Sequence, residues 1–459
     1  MQEHTGRLGT APLGRLLLSL SIPSIASTIT VSLYNIVDTF WVAGLGHEAI
    51  AALTIVFPYQ ILFYAIGIGT GIGLGALVSR RFGENNLEAT NHIAGQVFFI
   101  SVFWGMLFMM TAVYFSDEIL PAIGATPDIL DYSTKYMIIT SYGAPQIIFV
   151  LIAGSLIRGS GDAVKPMIMS ISASVVNIIL DPFMILGIGP FPEMGIGGAA
   201  LATVIAQSVG AVIGLYYLFA RRTTYRIHTG HLKPDIGIMR DIYRVGAPAS
   251  ILEITESLSF ILFNKVVSVY GSVAIAAVGL VLRISDLLYM PIIGVSNGLL
   301  PIIGFNFGAK NFQRLWHGAV LASVSIAAML AIATVFLEIF TPGIIGIFSK
   351  DAEMLEVTVP AMRIILSTMF FIGPSIMFIT VFQGLSRGAM ALVLSLVRQF
   401  LLFVPLLYLF SYLFGLYGVW TALPVSDVLS FTVTFAFIYR EYRLQKKNYD
   451  WSDASLPAI

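Results

Sequence analysis

Gly46 and the run Ala49-Ile50-Ala51-Ala52 return 225 residues later as Gly271 and Ala274-Ile275-Ala276-Ala277. The same offset carries Pro23 onto Pro248, Gly73 onto Gly298, Phe82-Gly83 onto Phe307-Gly308, Asn86 onto Asn311 and His92 onto His317. Farther along the spacing drifts: Arg158-Gly159 answers to Arg387-Gly388 at 229, and Gly195-Ile196-Gly197-Gly198 to Gly415-Leu416-Tyr417-Gly418 at 220. The chain therefore reads as two copies of one unit, and the fold as a pair.

The solvent of that fold follows from composition. Of 459 residues, 57% are apolar and 11% charged, against roughly 25% charged in an average soluble domain. Such a chain cannot cover a globule with water-facing groups. The 25 Lys+Arg are matched by 25 Asp+Glu and form no basic stripe, which excludes nucleic acid as a partner. With no cysteine, disulfides, thiolate metal sites and cysteine nucleophiles are excluded. Met1 to Arg15 is polar and no cleavage pattern follows, so no leader is expected.

A spanning helix needs about 20 apolar residues. Twelve stretches qualify: 16–43, 51–78, 92–115, 133–156, 166–188, 198–220, 245–270, 274–300, 317–340, 357–382, 390–413 and 417–439. With the N-terminus inside, 19 of the 25 basic residues fall in inside segments, among them Arg80, Arg81, Arg221, Arg244, Lys310 and Lys447. Only Lys135 and Lys350 fall outside. The positive-inside rule then puts both termini in the cytoplasm of a cell-membrane protein. The expected division is a first lobe over 1–222, a linker over 223–244, a second lobe over 245–440 and a cytoplasmic tail over 441–459. Six spans per copy keep both copies in one orientation, so the repeat is parallel, as in secondary transporters whose two bundles rock about a central cavity.

Ionisable groups at bilayer depth cost at least ~2.5–3.5 kcal/mol and mark function by default. In the first lobe these are Asp38, four residues after Tyr34, and Asp181, four after Asn177; each pair shares a helix face. Apart from Lys135 at the outer edge of 133–156, no Lys or Arg lies in a first-lobe span. The two carboxylates can cage a small cation, trap protons, or simply tie spans together. In the second lobe Glu253, Glu256 and Asp427 are candidates for a cation or substrate site, but bases are present too. Arg283 and Asp286, three apart, are expected to pair, and Lys265 and Arg363 to snorkel. Gly67, Gly71 and Gly75 form a stripe for close helix packing rather than a nucleotide loop, since no Lys-Ser/Thr follows. The six histidines are read as loop or helix-start residues without a zinc-like setting.

Ser21-Ile22-Pro23, Leu33-Tyr34-Asn35-Ile36-Val37-Asp38, Gly44-Leu45-Gly46, Ala51-Ala52-Leu53, Ile157-Arg158-Gly159-Ser160-Gly161-Asp162 and Asn177-Ile178-Ile179-Leu180-Asp181-Pro182, in that order, resemble the MATE family of multidrug and toxic compound extrusion transporters. The first-lobe carboxylates look like its prokaryotic DinF-like branch. The resemblance implies an all-α membrane fold of two V-shaped six-helix bundles around a central cavity. It also implies cation-coupled export of organic, often cationic, drugs. Carried over by motif, Asp38, Asn177, Asp181 and Thr203 match the family's first-lobe cation site, Tyr136 a tyrosine of the proton network, and Glu256 an acid of the second-lobe site. The chain departs where that branch carries asparagines in its fourth span, here Val150, Leu151 and Gly154, and where an aspartate of the tenth aligns near Ile376.

The resulting expectation is an antiporter, functional as a monomer. It exchanges Na+ or H+ at Asp38 and Asp181, flanked by Tyr34, for an amphipathic small molecule, and it needs no cofactor. The rival is a lipid-linked sugar flippase, whose cavity should be strongly basic; the first-lobe spans are not. No nucleophile–base or metal constellation supports an enzyme.

Overall fold

The computed structural model of the chain describes residues 2–220, 222–348 and 351–448, with only backbone for residues 2–5. Arg221, Lys350 and the end of the expected tail, 449–459, lie outside the described residues. Among those described there is no strand. A short helix α1 (Gln2–Thr10) precedes α2 (Leu13–Ala43), α3 (His47–Gly83), α4 (Leu87–Ala122), α5 (Pro127–Tyr142), α6 (Ala144–Gly159), α7 (Val164–Leu186) and α8 (Ile196–Phe219). A strap with a short turn at Thr229–Leu232 leads to α9 (Ile236–Val267), α10 (Ser272–Gly308), α11 (Phe312–Phe348), α12 (Ala352–Leu366), α13 (Met369–Gly384), α14 (Gly388–Leu396) and α15 (Val404–Asn448). The seventh membrane helix thus begins at Ile236, nine residues before the predicted span, because Asp235 caps it by accepting from the Ile238 amide at 3.0 Å.

Two spans predicted as continuous are broken. α5 and α6 meet at 47°, α12 and α13 at 43°. Pro145, at the start of α6, lacks the N–H that would bond the Ser141 carbonyl, so the helix restarts at Gly143. The long final run is the reverse case. Gly415 takes φ 61° and ψ −140°, and its repeat partner Gly195 takes φ 55° and ψ −132° just before α8. Both are left-handed values that favour glycine, and both mark the start of a lobe's last span. Counting each bent pair once and the run from Gly388 twice gives twelve spans.

The repeat extends to the turns. Gly46 and Gly271 have φ +113° and +94° ahead of α3 and α10. Asn85 and Lys310 have φ 58° and 57°, and the asparagine after each caps the next helix, Asn86 from Ala89 N at 3.0 Å and Asn311 from Arg314 N at 3.1 Å.

Two apolar cores result, one under α2 to α8 and one under α9 to α15, the second also taking in Leu16, Leu17 and Leu20 from the start of α2. The lobes form a V that meets at one end. Gly69 and Gly73 of α3 press on Gly246, Ser250 and Ile242 of α9, and Gly83 on Phe305 of α10; Gly294 and Gly298 press on Ile25 and Ser21 of α2. The alternate stripe, Gly67 and Gly71, packs on Leu151 and Ser155 of α6, as expected for close packing. Hydrogen bonds and ion pairs between the lobes cluster at the same end: Tyr243 with Thr70 (3.3 Å) and Trp104 (2.6 Å), and Arg81 with Asp241 (3.9 Å). Arg314 there also holds the carbonyls of Leu8 and Ala11.

Candidate functional site

Toward the open end of the V, α2, α7, α8 and α5 bring the first-lobe candidates together. Asp181 is fully buried, Asn177 1% exposed, Asp38 9%, Tyr34 7% and Tyr136 4%. Asn177 Nδ2 donates to Asp181 Oδ1 at 3.1 Å and to Thr203 Oγ1 at 3.3 Å, joining α7 to α8. Asp38, from the facing helix α2, lies within electrostatic reach of Asp181 and Tyr136. Three buried oxygens of these residues have no protein hydrogen-bond partner: Asp38 Oδ1, Asp181 Oδ2 and Asn177 Oδ1. Leaving such a group unmade costs about 1–3 kcal/mol, more when charged. Among the described residues no basic group acts on Asp38 or Asp181, so the arrangement is suited to a positive guest: a proton, or a hard cation that prefers oxygen donors.

Two members of this cluster were not singled out from the sequence. Tyr64 stands beside Tyr34, and Gln60 beside Tyr136. They are four residues apart on α3, the same face spacing that marks Tyr34 with Asp38 and Asn177 with Asp181. That shared spacing was the available signal; being uncharged, they did not stand out as ionisable groups at bilayer depth.

The second lobe is balanced differently. A cavity enclosing about 790 Å³, part of it open to solvent, is lined by Glu256, Asp286, Tyr289, Arg398, Gln399 and Asp427 among apolar side chains. Glu253, one turn from Glu256 on α9, is not among its walls. Arg398 Nε donates to Asp427 Oδ1 at 3.0 Å, and its terminal nitrogen to Tyr289 Oη at 3.2 Å. Asp427 is thus already neutralised by a built-in base. The expected Arg283–Asp286 pair does not close into a salt bridge: both residues are exposed on α10, and Arg283 lies only within electrostatic reach of Asp286. Arg398 lies within a π-turn over Val397–Phe403 that follows α14. Lys265 and Arg363 are exposed, as snorkelling requires, and Arg363 lies 3.8 Å from Glu338.

Removing one partner of the Arg398–Asp427 pair strands a buried charge. Arg398→Met is expected to lower stability by about 1–2 kcal/mol, the scale of polar contacts inside membranes. Adding Asp427→Asn should recover most of that loss, read by thermal unfolding of the purified protein.

Comparison with known proteins agrees with this architecture. The MatE family profile matches residues 23–183 and 248–409, two blocks that begin 225 residues apart, the period read from the sequence. An FAD transporter of Shewanella oneidensis is 28% identical over 94% of this chain and 95% of its own. The multidrug export protein MepA of Staphylococcus haemolyticus is 24% identical over 91% of this chain and 92% of its own. Among solved structures, a multidrug resistance MATE family transporter of the MOP superfamily, in an outward-facing conformation, superposes with a TM-score of 0.90 and 26% identity, covering 96% of this chain and 98% of that one. Matched in both halves and along nearly its whole length, the chain belongs to the MatE family, the MATE transporters: multi-pass membrane proteins of drug and toxin efflux, not enzymes.

Proposed function

We propose that the chain is a secondary antiporter that exports amphipathic, often cationic, organic molecules in exchange for Na+ or H+. Asp38, Asn177, Asp181 and Thr203 receive the coupling ion, with Tyr34 and Tyr136 beside them. The observation that carries this reading is the convergence of two facing, baseless carboxyl groups with three unpartnered buried oxygens. The positive-inside count places the joined end of the lobes in the cytoplasm, so the cluster faces outward. Likeness to a relative solved in an outward-facing conformation supports the same polarity. Exchange follows if ion and substrate favour different lobe arrangements, since a ligand shifts an equilibrium only by its differential affinity for the two states. Deprotonated carboxylates draw the organic cation; neutralisation by the incoming ion releases it. Glu256 and the neighbouring second-lobe cavity offer the substrate its second contact.

The test is dye efflux from vesicles, first with a sodium gradient at fixed pH, then with a pH gradient in the absence of sodium. One of the two should drive efflux, and the other should not. If neither does, the antiport reading fails. A dinucleotide belongs in the same substrate panel, because the Shewanella relative is named for FAD. Competition of FAD with the dye would extend the substrate class to anions.

A further inference from the structure

Glu88, His92 and His231 meet at the joined end of the lobes, well away from the carboxylate cluster. Glu88 and His92 lie one turn apart at the start of α4, and His231 comes from the turn Thr229–Leu232 of the interlobe strap. His231 Nε2 stands 3.0 Å and His92 Nε2 3.4 Å from the same oxygen, Glu88 Oε1. The two imidazoles are 4.4 Å apart between centroids, and one ligand atom from each residue can be chosen so that all three lie within 4.8 Å of one another. Ligands held at about 2.0–2.1 Å around a tetrahedral ion sit about 3.3–3.4 Å apart, so small side-chain rotations close the set. Two of the histidines read from the sequence as having no metal-like setting thus come together with a carboxylate; His231 lies 139 positions from His92, beyond any local spacing rule.

We propose that Glu88, His92 and His231 bind a late first-row divalent cation of the Zn2+, Ni2+ or Cu2+ class, and that the ion fastens the interlobe strap to α4. Two imidazoles and one carboxylate suit those metals; Mg2+ and Ca2+ demand oxygen-only shells. Three protein ligands leave a fourth position for water. The site has a fixed floor and an open mouth: the His231 side chain is 9% exposed, those of His92 and Glu88 42% and 71%.

The floor is held by more than the ligands. Buried Gln96 donates to the carbonyls of His231 (3.3 Å) and Lys233 (2.9 Å) and accepts from the Asp235 amide (3.0 Å). A Cβ at Gly95 would lie 2.0 Å from the His231 carbonyl oxygen, so strap and α4 touch backbone to backbone. His231 Nδ1 accepts the His228 amide at 3.2 Å, which leaves the ring proton on Nε2, facing Glu88. On metal binding that proton moves to Nδ1, the ion takes Nε2, and the His228 amide gives up a long hydrogen bond. The strap continues into α9, the helix that meets α3 at Gly69 and Gly73, so an occupied site would keep the strap with the first lobe while the second moves.

The test uses tag-free, full-length protein in lipid nanodiscs and Zn2+ alone, titrated against a chromophoric chelator and followed by thermal unfolding. The expected result is one equivalent bound, with a Zn2+-dependent rise in Tm. His92→Ala, Glu88→Gln and His231→Ala should each weaken binding by about tenfold or more and abolish the rise. His92→Ala leaves the Gln96 contacts intact and so reports on the metal rather than on folding. His317→Ala, the repeat counterpart of His92 on the second lobe, should bind as wild type. Absence of stoichiometric binding, or unchanged binding in His92→Ala, would overturn the proposal.

Discussion

Asp181→Asn is expected to lower gradient-driven export by roughly 10- to 150-fold while leaving the protein at least as stable as wild type. The replacement is isosteric and can still accept the Asn177 amide hydrogen bond now seen at 3.1 Å. What it removes is the charge. A hydrogen bond or close contact to a charged group is worth about 1.5–3 kcal/mol, which sets the expected factor at about 1.4 kcal/mol per tenfold. Stability should move the other way, because the variant relieves a fully buried carboxylate that has no base and lies within reach of Asp38; buried like charges are unfavourable. A merely structural carboxyl would show the opposite pattern, with Tm falling and the gradient response kept. Efflux rates and Tm measured together in Asp38→Asn and Asp181→Asn separate the two cases. Wild-type export in both variants would remove the proposed ion site.

Much of the architecture was legible because it is written in hydropathy and spacing. Gly46 and Gly271, or Gly195 and Gly415, recur where the backbone needs a left-handed residue in each copy, and that need survives translation into sequence. Asp38 and Asp181 stood out because a charge interrupts an apolar run. Three features were not legible. The bend at Gly143 falls inside a stretch read as one span, and a rule that counts spans by length and apolarity does not register a break within it. Arg398 was assigned no partner and Arg283 was assigned Asp286, because a three-residue spacing registers only neighbours on one helix, whereas Arg398 meets Asp427, 29 positions away on another. His231 owes its place beside Glu88 and His92 to tertiary convergence alone.

The second large effect concerns the joined end of the lobes. In the double variant Gly69→Ala/Gly73→Ala, the new methyl groups would lie 2.1 Å from Ser250 Oγ and 2.2 Å from the Ile242 carbonyl oxygen, with further backbone atoms of Ser250 and Gly246 at 2.5–2.7 Å. Side chains can rotate away, but the Ile242 carbonyl and the Gly246 amide belong to the α9 backbone, so α3 and α9 must separate. Overpacking of this kind costs typically 1–3 kcal/mol per site, about 2–6 kcal/mol for the pair. The cost falls only on the arrangement in which these helices touch. The variant should therefore fold, yet lose the arrangement closed at this end by a factor of about 30 or more, and transport should drop because the cycle must visit both states. The native chain has no cysteine, so Arg81→Cys with Asp241→Cys, at positions whose side chains meet across the lobes at 3.9 Å, can be bridged by a short bifunctional reagent. Bridging should be efficient in the otherwise native chain and nearly absent in the double alanine variant. Gly279→Ala is the control: a Cβ there meets nothing within 4 Å, and bridging and export should both be retained. Undiminished bridging in the double variant would mean that close approach at Gly69 and Gly73 is not what holds the lobes together, and that other contacts at this end, such as Tyr243 with Thr70 and Trp104, suffice.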